Sequence, residues 1–117
     1  MDNSQFFFRT LPYTRKDGTV ALVDIFQTTN TTPLEEWLGT VVSLADGHHT
    51  IQQMIDYLAS QYSNPPEGLE KTLHSVIERL LDSDIIQLSK RITTLPYYLS
   101  APIEDLDLER ARKSVQE

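Results

Sequence analysis

Three histidines and two adjacent glutamates are the residues of this chain whose types suit acid–base or metal chemistry. His48 and His49 are consecutive, inside the segment Leu44-Ala-Asp-Gly-His-His-Thr-Ile51. Neighbours in a turn do not converge on one ion without an unusual loop, and no His-x-x-x-His pair at helical spacing supports them. They read as turn polarity ahead of a capped helix, and His74 as a boundary residue beside the apolar Leu73. Glu35 and Glu36 could be paired carboxylates, but they fall in the first turn of a helix, where acids favour the positive end of the macrodipole. The chain has no cysteine, and its four glycines form no phosphate loop. No Ser/His/Asp arrangement stands beside a glycine-built oxyanion site. No catalytic residue, metal ligand or cofactor is therefore expected, and the reading is of a protein that binds rather than reacts.

The 117 residues fit one domain with a modest core. No apolar run approaches the ~20 residues of a membrane helix. The start Met1-Asp2-Asn3-Ser4 lacks the basic region of a signal peptide, and together with the absence of cysteine this favours the cytoplasm. A net charge of −7 opposes nucleic-acid binding, because that affinity comes mostly from Lys and Arg displacing counterions.

The elements follow from periodicity and punctuation. Residues 6–13 and 19–28 are rich in aromatic and β-branched side chains, and Asp17-Gly18 between them suits a tight turn, so a β-hairpin is expected. Along its second strand Val20, Leu22, Asp24 and Phe26 share one face, and Ala21, Val23, Ile25 and Gln27 the other. Both faces are largely apolar, which calls for packing on each side. Three consecutive phenylalanines, Phe6 to Phe8, cannot all face one core, since strand side chains alternate.

Thr32-Pro33-Leu34-Glu35 has the form of a capping box with Pro at the first helical position. Helix one is expected from there to Ala45, stopped by Asp46-Gly47. Helix two is expected over about 51–62, with Thr50 and Gln53 as its capping box, and helix three over about 67–81. Residues 85–88 read as a strand that residues 92–95 join as a wing. The expected fold class is therefore α+β: a winged helix-turn-helix with an N-terminal β-hairpin, a three-helix core, a short β wing and a C-terminal tail. Residues 1–95 form the domain, and 96–117 a tail or docked helix.

The run Trp37-Leu38-x-x-Val41-x-x-Leu44-x-Asp46-Gly47-x-x-Thr50-Ile51, then Ile55-x-x-Leu58, Leu73-x-x-Val76-Ile77-x-x-Leu80-Leu81 and Ile85-Ile86, resembles the PqqD-like family over roughly residues 19–88. These are the recognition elements for precursor peptides that are made on the ribosome and then modified. The resemblance implies a non-catalytic winged-helix domain that acts as a peptide chaperone. It binds a precursor's leader peptide and presents it to a peptide-modifying enzyme. The leader adds as a strand to the edge of the hairpin sheet and lies in a groove against helix three. Carried onto this chain, the implied peptide-binding residues are Val20, Leu22, Val23, Asp24, Ile25 and Phe26 on the strand, with Lys71, His74, Ser75 and Glu78 on the helix. Lys71 and Arg79 would pair with leader acids. The family has three strands before helix one, where this sequence reads as two, with Pro12 able to divide the first.

A protein-interaction or regulatory module is the second reading, either a homodimer or a dock for an enzyme. A DNA-binding regulator is the third. Helix three sets Glu67, Glu70 and Glu78 against Lys71 and Arg79, a poor face for a major groove.

Overall fold

The apolar N-terminal run divides at Pro12 into two strands that enter different sheets. The computed structural model describes residues 1–116. Phe6–Arg9 (β1) and Tyr13–Lys16 (β2) come first. Thr19–Asp24 (β3), Gln27–Pro33 (β4), the helix Glu36–Leu44 (α1) and Asp46–Thr50 (β5) follow. Ile51–Ser60 (α2), Leu69–Asp82 (α3), Ile86–Ser89 (β6) and Leu108–Val115 (α4) complete the order. The result is an α+β fold of two three-stranded antiparallel sheets, ordered β5-β1-β6 and β2-β3-β4.

The expected hairpin turn is present. Asp17 and Gly18 take φ of 52° and 79°, the paired left-handed residues of a type I′ turn, and they join β2 to β3 with Lys16 opposite Thr19. Phe6–Arg9 does not belong to that hairpin. It pairs instead with β6, Phe7 facing Leu88, and with β5 on its other side. Only the middle phenylalanine, Phe7, is fully buried.

Three further expectations are corrected. Thr32 caps no helix, because the Leu34 N–H donates to the Val20 carbonyl (2.9 Å) and holds the chain extended through Pro33. A further strand, β4, therefore precedes α1, whose N-cap Glu35 makes no side-chain cap bond. Asp46-Gly47 does not close α1 as a helix cap but opens β5. Gly47 has φ of 81°, and a Cβ there would run into the Thr93 carbonyl oxygen, so only glycine fits. Residues 92–95 form no strand, and the partner of β6 is β1 rather than a wing. Thr93 instead donates its N–H to the Gly47 carbonyl (2.9 Å).

The Thr50–Gln53 capping box of α2 is present in both directions. The main core gathers Phe7, Val42, Ile51, Leu73, Ile77 and Ile86 from both sheets' surroundings and all three central helices. Gly39 lets α1 cross β3 closely, since a Cβ at that position would lie 2.8 Å from the Val20 Cβ.

As the two-sided strand pattern requires, β3 is covered on both faces. Val20 joins the main core, while Ala21, Val23 and Ile25 are buried outside it. That second face is met by the C-terminal segment, which is ordered as two 3-10 turns, Tyr97–Leu99 and Ile103–Asp105, and then α4. Asp107 caps α4 through the Arg110 N–H (3.2 Å), and Arg112 Nε donates to the Ile25 carbonyl (2.8 Å). No helix among the described residues is long and apolar enough to cross a membrane.

Candidate functional site

The β2-β3-β4 sheet has two edges, and they differ. Along β2 the Arg15 N–H points away from β3 and donates to Glu104 Oε1 (2.6 Å). Glu104 Oε2 takes the Thr14 hydroxyl (2.5 Å). Burial pushes the Glu104 carboxyl up, but the Thr14 hydroxyl and the Arg15 N–H outweigh it and hold the group below its usual value. The outer edge of β2 is thus stoppered by a carboxylate from the tail. Edge strands are commonly closed off by a charge in this way.

Along β4 no described residue occupies the outer edge. The direction of its main-chain groups follows from alternation. Arg15 points outward from β2, so Thr14 and its mate Ala21 face one another. Val20 and Leu22 then turn toward β4, as the Leu34-to-Val20 bond requires, and Thr32 pairs inward with Leu22. Thr31 and Pro33 are left facing outward. Pro33 has no N–H to leave unpaired, so Thr31 presents the free donor. The whole strand carries no charge, and nearly all of it is exposed.

This geometry moves the strand part of the candidate site. Val20, Leu22, Val23 and Asp24 lie on β3, which is hydrogen-bonded to β2 on one side and β4 on the other. A central strand has no free main-chain edge, so no peptide can add to these residues by strand pairing. Val23 even gives its N–H to the Pro12 carbonyl (3.1 Å). Ile25 is buried beneath the tail, whereas Phe26, at the β3–β4 turn, is 53% exposed. The signal for β4 was its β-branched run Thr28-Thr29-Asn30-Thr31-Thr32, masked by the cap-like Thr-Pro-Leu-Glu that follows.

The helix part divides as well. Lys71, Ser75 and Glu78 are exposed on one face of α3. His74 is half-buried, and its Nε2 lies 2.7 Å from Asn3 Oδ1. Asn3 Nδ2 in turn donates to Glu70 (2.8 Å) and Gln52 (3.0 Å), so His74 serves to tie the N-terminal arm across α2 and α3. Arg79 reaches Glu35, just beyond β4, at 3.4 Å. At 3.6 residues per turn His74 and Arg79 stand about 140° apart around the helix. The side of α3 nearest the β4 end therefore carries Arg79 and not His74.

Arg9 was not singled out by sequence reasoning, yet it is 2% exposed. Its Nε donates to the Leu99 carbonyl (2.7 Å), and its Nη1 reaches the carbonyls of Val42 and Ala45 (3.2 Å each) and Ser43 (3.4 Å). The guanidinium thus satisfies the orphan carbonyls at the end of α1 and stands 4.7 Å over the Tyr13 ring. Burial lowers its pKa, while the nearby Tyr13 and Asp46 oppose that shift. Burial likewise raises the Tyr13 phenol.

A separate apolar cleft of about 240 Å³ opens between the end of α1, β5 and α2, lined by Phe7, Leu44, Met54 and Tyr57 among others. On its rim His49 Nδ1 sits 3.0 Å from Asp46 Oδ1. Burial raises the Asp46 carboxyl, but the His48 N–H and His49 bring it below its usual value. Among the described residues no three His, Asp or Glu side chains converge as a metal site would need. No protein-family model, curated protein or solved structure matches the chain.

Proposed function

We infer that this chain is a winged-helix peptide-binding accessory protein without chemistry of its own. It takes the leader of a ribosomally made precursor as an added β-strand and hands it to the enzyme that modifies it, in the cytoplasm. The observation that carries the reading is the asymmetry of the β2-β3-β4 sheet: Glu104 closes one edge, and the Thr31 donor is left free on the other. Four strands precede α1; the last three form the β2-β3-β4 sheet, the number of strands the PqqD-like resemblance implies, and α1, α2 and α3 follow in the order of a winged helix. A strand laid along β4 gains main-chain hydrogen bonds for affinity, and its alternate side chains give register. Those on the tail side face the trough formed by Thr31, Ala21, Ile103 and Leu108. The accessory role then works through effective concentration, since a tethered leader raises the local supply of substrate at the enzyme.

The test is binding of fluorescent peptides encoded beside the gene to the native domain and to Thr31→Pro. Proline at an outward-facing position removes the edge donor without touching the β3–β4 ladder. Micromolar binding that falls at least tenfold in the folded variant supports strand addition at β4. Equal affinity for the two proteins removes it.

A further inference from the structure

The ladder between β3 and β4 is regular only over residues 31–33, where Val23 pairs with Thr31, Leu22 with Thr32 and Ala21 with Pro33. The register then shifts, and Asp24 pairs next with Gln27. Consecutive Thr28 and Thr29 both line the trough under the tail, as a bulge allows and a plain strand does not. Pro33 has no N–H, so Thr31 carries the free donor of the regular edge and sets the register of a strand added there. Residues directly opposite on paired strands share a face. The side chain opposite Thr31 therefore enters the trough that Thr31 itself lines, a space of about 620 Å³ bounded by Ala21, Ile103 and Leu108. By alternation its two neighbours turn to the other face of the sheet. That face is open here, because α1 crosses β3 at Val20 and leaves Leu22 half-buried and Asp24 exposed. A second hollow, of about 270 Å³, lies there against Leu11 and Leu22, and Asp24 is the one charged residue lining it. Asp24 Oδ1 accepts the Phe26 N–H (2.9 Å), while Oδ2 has no partner among the described residues.

We propose that the peptide read along β4 has a basic–apolar–basic core. A large apolar residue lies opposite Thr31 with its side chain in the trough, against Ile103 and Leu108 of the tail. Lys or Arg on either side of it lays its stem toward Leu22 and brings its charge to the Asp24 carboxylate. The inference rests on strand addition at β4 and names the sequence that the edge selects. Each half follows from what lines the two spaces. The trough offers apolar surface at Ala21, Ile103 and Leu108, and covering it with a large apolar side chain releases water. The hollow sets apolar Leu11 and Leu22 beside a single carboxylate, which matches a side chain with an apolar stem and a cationic head. A chain of net charge −7 also draws a basic segment toward it and repels an acidic one. The tail then does more than close the β2 edge. By tying Glu104 to Thr14 and Arg15 it holds the adjacent Ile103 at the trough, where it selects the residue opposite Thr31.

The experiment titrates the full chain into a fluorescein-labelled peptide, Gly-Thr-Lys-Leu-Lys-Thr-Gly, and reads anisotropy. Two control peptides carry Glu in place of each Lys, or Ser in place of Leu. The Lys-Leu-Lys peptide is expected to bind about tenfold tighter than either control, and Thr31→Pro to abolish its binding. Asp24→Lys, at an exposed position, is expected to weaken that peptide about fivefold, the size of an exposed charge pair, and to strengthen the Glu peptide. Leu108→Ala is expected to weaken the Lys-Leu-Lys peptide and leave the Ser peptide unchanged. Equal binding of the three peptides, lost in Thr31→Pro, overturns the proposed core and leaves strand addition at β4 standing. An Asp24→Lys protein with an unaltered preference for Lys over Glu overturns the role of Asp24. Binding that Thr31→Pro does not change overturns strand addition and this inference with it. No binding of any of the three at millimolar concentration overturns the core alone, since peptides encoded beside the gene test strand addition separately.

Discussion

The Arg15 N–H donates to the Glu104 carboxylate at 2.6 Å, so the outer edge of β2 is occupied by the chain's own tail. One carboxylate thereby decides which edge of the sheet is available. It also makes the tail part of the domain rather than an appendage, because the Thr14 hydroxyl and the Arg15 N–H both depend on it. Replacing Glu104 with Ala is expected to cost about 1 kcal/mol, the size of an exposed charge-assisted bond after solvent screening. The loss is expected to appear in hydrogen exchange as faster opening of residues 102–115 ahead of the core. Unchanged exchange there would show that other contacts hold the tail.

The same group makes tail docking depend on pH. The folded-state pKa of Glu104 is depressed below its ordinary 4.5. Its contribution is therefore fully present above the unfolded pKa and is lost as pH falls through the folded one. The tail is expected to loosen below about pH 4.5, with Glu104→Gln flattening that dependence. NMR shifts of Leu108 and Ala111 followed from pH 6 to pH 3 check it, and identical titrations in both proteins would assign the effect elsewhere.

Arg9 is the pin between the end of α1 and the tail, through the carbonyls of Val42, Ala45 and Leu99. Arg9→Met keeps much of the apolar stem but removes the guanidinium, which takes the donor from the Leu99 carbonyl, while the Val42 and Ala45 carbonyls keep the main-chain N–H groups of Ala45 and Arg9. The expected cost is about 1–3 kcal/mol, read from urea denaturation followed by Trp37 fluorescence. A loss under 1 kcal/mol would mean that water replaces the guanidinium.

Gly39 tests the crossing of α1 over β3. In an exposed helix Gly→Ala gains about 1 kcal/mol. Here the new Cβ would press on Val20 at 2.8 Å, so Gly39→Ala is expected to destabilise by about 1–3 kcal/mol. A stabilised variant would show that the helix can lift without loss.

How much of this was legible in the sequence depended on whether the signal was local. The Thr50–Gln53 box and the Asp17-Gly18 turn were read correctly because each fixes its own backbone within four residues. The apolar pattern of β3 also announced its cover on two faces. The edge strand β4 was missed because Thr32-Pro33-Leu34-Glu35 satisfies a helix-start pattern, and only the long-range Leu34-to-Val20 bond makes it a strand. Asp46-Gly47 was ambiguous for a similar reason: positive φ suits a helix end as well as the start of β5. The pairing of β1 with β5 and β6 joins residues distant in the chain, Phe6 with Thr50 and Ser89, and no local pattern encodes it. Expecting a free edge at Val20–Phe26 followed from the missed β4, since a hairpin of two strands leaves β3 at an edge and a meander of three does not.

The most direct test of the central claim is an amide-shift NMR titration of the isotope-labelled domain, kept dilute, with short peptides encoded beside its gene. The account predicts saturable shifts centred on residues 27–33, and an exchange-protected Thr31 amide in the complex. Saturable binding that leaves the β4 amides unmoved and shifts residues 71–79 instead would contradict it.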